Sequence, residues 1–128
     1  LKGRKILIID DEPDILVFLG TVLEDHGATV VQATDGEEGL ARARAEMPDL
    51  ITLDLSMPGK DGGEVFDALR KDPELGSIPV CIITGKPELR KLIYDKDVRR
   101  PEGYLDKPVN EETLIANVRR ILEVARKA

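Results

Sequence analysis

Two adjacent carboxylates at Asp10 and Asp11, a third at Asp54, a hydroxyl at Thr84 and an ammonium at Lys107 could do chemistry together in this chain of 128 residues. Each lies where a short apolar run ends. In an open parallel α/β sheet, ligands gather outside the carboxyl ends of the strands. Polar residues scattered along nearly the whole chain would then converge on one pocket, and their types point to phosphoryl chemistry. If the first and third runs are neighbouring strands, three carboxylates crowd together. At ~4 Å and an effective dielectric near 20, each like-charged pair repels by roughly 4 kcal/mol. Such a cluster needs a counter-ion or a raised pKa. With only oxygen ligands on offer, Mg²⁺ leads, because it binds through one or two carboxylates and keeps waters and phosphate oxygens.

Each of these residues has a plainer use. Asp11-Glu12-Pro13 could simply begin a helix, with Asp as its cap; Asp54 at a neighbouring strand end favours the metal. A lone Asp at a strand end is usually a turn former. Beside a cation, though, the Asp54 carboxylate can attack phosphorus and form an acyl phosphate, with the metal neutralising the phosphoryl charge. Thr84-Gly85 is an ordinary turn by itself, and Lys107-Pro108 a solvated lysine before one. Together they supply a hydroxyl donor and a fixed cation. Hydrogen bonds to charged groups are worth roughly 1.5–3 kcal/mol each. About 5.5 kcal/mol inverts a two-state equilibrium from 1:99 to 99:1, so two or three such contacts would drive a switch.

The strands that would carry these groups are legible as apolar runs. Ile6-Leu7-Ile8-Ile9, Thr29-Val30-Val31, Leu50-Ile51-Thr52-Leu53 and Val80-Cys81-Ile82-Ile83 read as strands buried on both faces, with Gly103-Tyr104-Leu105 a weaker fifth. Helical stripes fill the gaps. Ile15, Leu19, Val22 and Leu23 form one, with Pro13 in its first turn and Gly27 just past its end. Thr34 and Glu37 have capping-box spacing for a second helix, closed by Met47-Pro48. Val65, Phe66 and Leu69 form a third, ending near Asp72-Pro73. Leu114, Ile115, Val118, Ile121 and Leu122 form the last, with Asn110 as its cap and Arg126 and Lys127 complementing the dipole at its far end. Between Lys86 and Glu102 the pattern degrades: Leu89, Leu92 and Ile93 allow a short helix, followed by an irregular loop. Alternating strands and helices predict a single α/β domain, a doubly wound sheet with right-handed crossovers.

Composition narrows the function further. Net charge is −6, with two Tyr, two Phe and no Trp, so the basic surface and stacking aromatics of a nucleic-acid binder are scarce. No apolar run approaches the ~18 residues of a membrane span. Cys81 is the lone cysteine, which excludes an internal disulfide and suits a reducing cytosol. The first residue is Leu1 rather than Met, as in a piece of a longer polypeptide. Among the remaining candidates, His26 is expected at the surface and Cys81 as an inert buried thiol. Ser56 is either a loop serine or faces the phosphoryl group, and Tyr104 is either ordinary packing or a ring that moves with Thr84.

The segments Lys5-Ile6-Leu7-Ile8-Ile9-Asp10-Asp11-Glu12-Pro13, Asp49-Leu50-Ile51 through Asp54-Leu55-Ser56-Met57-Pro58-Gly59-Lys60-Asp61-Gly62, Pro79-Val80 to Thr84 and Tyr104-Leu105-Asp106-Lys107-Pro108 together resemble the receiver domains of two-component response regulators. The ordered set spans nearly the whole chain. The resemblance implies a flavodoxin-like sheet of five parallel strands in order 2-1-3-4-5 over residues 1–128. It implies that Asp54 is the phosphoacceptor, that Asp10, Asp11 and Asp54 hold Mg²⁺ with the backbone carbonyl of Ser56, that Thr84 and Lys107 contact the phosphoryl group, and that Tyr104 is the conformational reporter. A cis Lys107-Pro108 peptide is common in such domains. The implied donor is a phosphohistidine on a sensor histidine kinase or histidine phosphotransfer protein. The implied readout is a downstream output domain or protein, with homodimerisation left open, in the cytoplasm. The chain departs from the pattern at Gly85, where a residue such as Ala is usual, and in the atypical fourth-helix segment 86–102. Competing readings are a pseudo-receiver that never uses its acids, an aspartyl-phosphate hydrolase (Ser56 stands where such enzymes carry a second acid) and a flavodoxin-like electron carrier.

Overall fold

The computed structural model describes residues 1–127, with side chains through Ala125. Five parallel strands, β1 (Lys5–Ile9), β2 (Thr29–Ala33), β3 (Leu50–Leu53), β4 (Val80–Thr84) and β5 (Gly103–Asp106), form one sheet in the order β2-β1-β3-β4-β5. Helices α1 (Pro13–Asp25), α2 (Gly36–Glu46), α3 (Gly62–Lys71), α4 (Lys91–Tyr94) and α5 (Glu111–Lys127) connect and follow them. The doubly wound α/β fold expected from the sequence is the fold observed.

Successive strand residues point to opposite faces, so unbroken apolar runs feed two cores. Leu7, Ile9, Ile51, Leu53, Val80 and Ile82 pack with Leu40, Val65, Phe66 and Leu69 of α2 and α3. Ile6, Ile8, Leu50, Cys81, Ile83 and Leu105 pack with Leu19, Leu23, Leu114 and Val118 of α1 and α5. Register then aligns the strand ends. Ile9 pairs with Ala33 on one side and Leu53 on the other, and Thr84 pairs with Asp106. The residue after each strand therefore emerges at the same edge of the sheet.

Helix ends refine the sequence reading. Gly27 has φ +98°, a left-handed conformation just past α1 that favours glycine. At α2 the cap lies one residue later than Thr34 and Glu37 indicated. Asp35 accepts from the Glu38 amide at 2.8 Å, while Glu38 Oε1 accepts from the Thr34 amide at 2.6 Å. Asp and Thr both cap well, and the carboxylate took the place. Asn110 caps α5 as expected, accepting from the Thr113 amide at 2.7 Å. Arg126 and Lys127 fall outside the residues whose side chains are described.

The segment 86–102 is a 3₁₀ turn over Pro87–Arg90, the four-residue α4 and a loop. Arg70, from α3, holds it in place. Its guanidinium donates to the carbonyls of Ile78, Arg99 and Arg100 at 3.0, 3.0 and 2.8 Å and to Glu102 Oε1 at 2.8 Å. Packing adds to these bonds: Ile93 is fully buried in the core, with Leu89 and Val98 against it.

Candidate functional site

The strand ends build an acidic pocket. Asp10 continues the ladder beyond β1, its amide donating to the Ala33 carbonyl at 3.0 Å, and Asp54 does the same beyond β3, donating to the Ile9 carbonyl at 3.0 Å. These bonds fix both backbones side by side. Asp10, Asp11, Glu12 and Asp54 each offer a carboxylate oxygen, and these oxygens all lie within 4.8 Å of one another. Lys107 arrives from the end of β5, its amide bonded to the Thr84 carbonyl at 2.9 Å. Its Nζ lies 2.7 Å from Glu12 Oε1, 2.9 Å from Asp10 Oδ2 and 3.8 Å from Asp54 Oδ2. The Lys107-Pro108 peptide is cis.

Asp54 is the residue whose environment is least satisfied. It is 2 % exposed, and neither carboxylate oxygen has a hydrogen-bond partner. Burial, then the Asp10 charge, push its carboxyl up to about 6, against the opposing pull of Lys107 and of the nearby Ser56 amide, which falls short of hydrogen-bond geometry. Asp10 is also raised, foremost by burial, while the Glu12 amide and Lys107 hold it down. Burial works against the Lys107 charge, but its contacts with Glu12 and Asp10 outweigh it and raise the ammonium. Buried carboxylates without hydrogen bonds are costly. An oxygen-lined cluster with orphaned acceptors suits a hard divalent cation.

The competing cap reading of Asp11-Glu12-Pro13 does not fit. Glu12 is the N-terminal flank of α1, and its side chain makes no capping bond. Asp10 Oδ1 accepts from the Glu12 amide at 2.9 Å, which shapes the turn and leaves Asp11 with the cluster. Glu12 is the residue that sequence reasoning passed over; the only signal was a third acid following Asp10-Asp11.

Thr84 is fully buried at the end of β4, but its hydroxyl is turned onto its own loop, accepting from the Lys86 amide at 3.1 Å. Ser56 is half-buried two residues after Asp54. Gly62 lets α3 begin against this loop. A Cβ there would sit 2.4 Å from the Leu55 Cα and 2.7 Å from the Asp54 carbonyl oxygen. At Gly85 a Cβ would meet only Lys107 Cδ and Cβ at 3.7 and 3.8 Å, so this departure leaves the pocket's shape unchanged.

Tyr104 lies outside the acidic pocket. It pairs with Ile82 and packs on the α3 side of the sheet, under the Arg90 guanidinium at 4.7 Å and beside Tyr94 at 6.3 Å between ring centroids. Burial, then Tyr94, push its phenol up to about 12. Arg90 also bonds Asp106 at 2.8 Å, which ties the 3₁₀ turn to the residue before Lys107. His26 is half-buried rather than free at the surface, its Nε2 being 3.1 Å from Glu111 Oε2. Cys81 is buried, and burial pushes its thiol up to about 12, which keeps it unreactive.

This fold, with acids and a lysine at its carboxyl edge, defines a class. The family model described as "Response regulator receiver domain" matches residues 6–119, and the chain belongs to that family. It is therefore a domain of two-component signalling, related to proteins that switch on phosphorylation. Protein PilH of Pseudomonas aeruginosa is 40% identical over 118 residues, covering 92% of this chain and 97% of PilH. The alkaline phosphatase synthesis transcriptional regulatory protein PhoP of Bacillus subtilis is 37% identical over 120 residues, 94% of this chain but 49% of PhoP. The DNA-binding dual master transcriptional regulator RpaA of Synechocystis is 41% identical over 118 residues, 92% of this chain and 48% of RpaA. The chain thus spans about half the length of those two regulators. Among solved structures, a CheY-like receiver domain protein from Methanospirillum hungatei superposes with a TM-score of 0.86 at 27% identity, covering 97% of each chain. Chemotaxis response regulator CheY4 of Vibrio cholerae gives 0.82 at 32% identity, covering 92% of this chain and 98% of CheY4. Among the described residues no helix is long and apolar enough to cross a membrane.

Proposed function

We propose that residues 1–128 form one receiver domain in which Asp54 accepts a phosphoryl group from the phosphohistidine of a sensor histidine kinase or histidine phosphotransfer protein. The observation that carries this reading is the Asp54 carboxylate, buried among acids with both oxygens lacking hydrogen bonds and a lysine ammonium 3.8 Å away. Its oxygen attacks phosphorus as the P–N bond to the donor imidazole breaks. The bonding pair returns to the imidazole nitrogen, which takes up a proton, and Asp54 is left as an acyl phosphate.

The donor set fits Mg²⁺, which Asp10, Asp11, Asp54 and the Ser56 carbonyl would hold. When bound, it neutralises charge on the phosphoryl oxygens. The rest is the work of side chains. Lys107 needs only a small movement to pair with a phosphoryl oxygen on Asp54. Thr84 exchanges its bond with the Lys86 amide for one to the same group, which links the modification to the 3₁₀ turn, Arg90 and the Tyr104 ring. Two or three such bonds, at roughly 1.5–3 kcal/mol each, supply the differential affinity of about 5.5 kcal/mol that inverts a two-state population.

The domain is a switch rather than a conventional enzyme, catalysing only its own aspartyl phosphorylation and dephosphorylation. Its readout is an output domain or partner protein, homodimerisation being one form this can take. With a net charge of −6, this domain is not expected to bind nucleic acid directly. A lone buried cysteine accords with a cytoplasmic place of work. The test is Mg²⁺-dependent labelling by a small acyl phosphate. Labelling should be lost in Asp54→Asn; a variant labelled as well as the natural protein would overturn the assignment.

A further inference from the structure

Among the carboxylates in the pocket, Glu12 makes the shortest contact with Lys107, 2.7 Å, yet it is the one farthest into solvent. Its side chain is 57% exposed, against 2% for Asp10 and Asp54. Its backbone is not free to wander: the amide is held by Asp10 Oδ1, and its carbonyl accepts the first helical bonds of α1 from Ile15 and Leu16, both at 3.1 Å. Its side chain has no capping duty. Lys107 is equally constrained, 11% exposed and anchored through its own amide. Among the described residues it is the one cation within 4.0 Å of any of the four acids, and it is placed on Glu12 and Asp10 in preference to Asp54.

We propose that Glu12 is a positioning residue: it holds the Lys107 ammonium at the rim of the pocket in the resting protein and releases it when Asp54 carries a phosphoryl group. The physical reason lies in exposure. Water can replace the lysine at Glu12 at little cost, whereas a carboxylate buried like Asp10 or Asp54 has no such substitute. Glu12 is therefore the partner Lys107 can leave, and its attraction sets how readily the ammonium moves inward. Removing the charge while keeping the shape biases the lysine toward the phosphoryl position.

The inference rests on Asp54 being the phosphoacceptor, and the experiment separates the two. Beryllofluoride, a phosphoryl mimic, is titrated at saturating Mg²⁺ into the natural protein, Glu12→Gln and Glu12→Asp, with amide shifts of Thr84 and Lys107 as readout. An exposed ion pair of this kind corresponds to about two- to fivefold in affinity. Glu12→Gln should bind the mimic tighter by that factor. Glu12→Asp keeps the charge but is one methylene short of the contact, so it should behave like Glu12→Gln. Affinity in Glu12→Gln that is unchanged or weaker overturns the proposal, as does an Asp variant that matches the natural protein. If the natural protein itself ignores beryllofluoride, the fault lies with the phosphoacceptor reading instead.

Discussion

Replacing Asp54 by Asn should make the metal-free protein more stable at neutral pH, by an amount that disappears in acid. The carboxyl is buried among acids, and its pKa is carried from 3.8 to about 6. Expressed in full, that difference is about 3 kcal/mol of preference for the neutral form. Water reaching the pocket's mouth beside the exposed Glu12 screens part of it, leaving about 1–2 kcal/mol. The sign follows from the direction of the shift. A carboxyl whose folded pKa is raised binds its proton more tightly in the folded state, so ionisation penalises folding. Below about pH 4 both states are protonated and the penalty vanishes; it grows through about pH 4–6 and is complete above. Asn keeps the shape and never ionises. For 128 residues the expected gain is about 4 °C in melting temperature per kcal/mol, hence about 4–8 °C near neutrality. Urea unfolding of both proteins across this range measures it directly. An Asn variant no more stable at neutral pH, or equally advantaged at about pH 4, would refute the claim that Asp54 is held as a strained, ionised carboxylate.

Adding Mg²⁺ to the natural protein should offset that strain: at ten times its Kd it stabilises by about 1.4 kcal/mol, read as a thermal shift, and by clearly less in Asp54→Asn. Gly62→Ala should destabilise by about 1–3 kcal/mol, because the new methyl meets the backbone of Leu55 and Asp54, which can yield only by moving the phosphoacceptor loop. Gly85→Ala, where the space is open and no left-handed φ is required, should be neutral or stabilising by up to about 1 kcal/mol. Arg70→Met should cost about 3 kcal/mol in urea unfolding, since it strips three carbonyls and Glu102 of their shared donor. A loss under about 1 kcal/mol would show that the loop after α4 does not depend on it.

What could be read from the sequence was what local pattern encodes. The apolar runs mark strand ends, and the rule that ligands collect at the carboxyl edge of a parallel sheet brings Asp10, Asp11, Asp54 and Lys107 into one place from the sequence alone. Glu12 escaped because a glutamate before Pro13 looks like an ordinary helix start, and its reach to Lys107 spans the chain from one end to the other. Arg70 escaped for a similar reason. On α3 it reads as a solvated residue, while its four acceptors lie at Ile78, Arg99, Arg100 and Glu102, with no local signal joining them. The α2 cap shifted by one residue because Thr34 and Asp35 are both good caps, and only the backbone path decides between them. Thr84 ends β4, as the apolar run before it implies, but the direction of its hydroxyl is set by the turn at Lys86, which composition does not encode.

The most direct measurement is to phosphorylate the protein with a small acyl phosphate and Mg²⁺, reduce the acyl phosphate with borohydride, and sequence the peptides by mass spectrometry. Reduction converts a phosphorylated aspartate to homoserine. Homoserine at position 54 alone is the expected result; homoserine at Asp10 or Asp11, or none at all, would contradict the assignment of Asp54 as the acceptor.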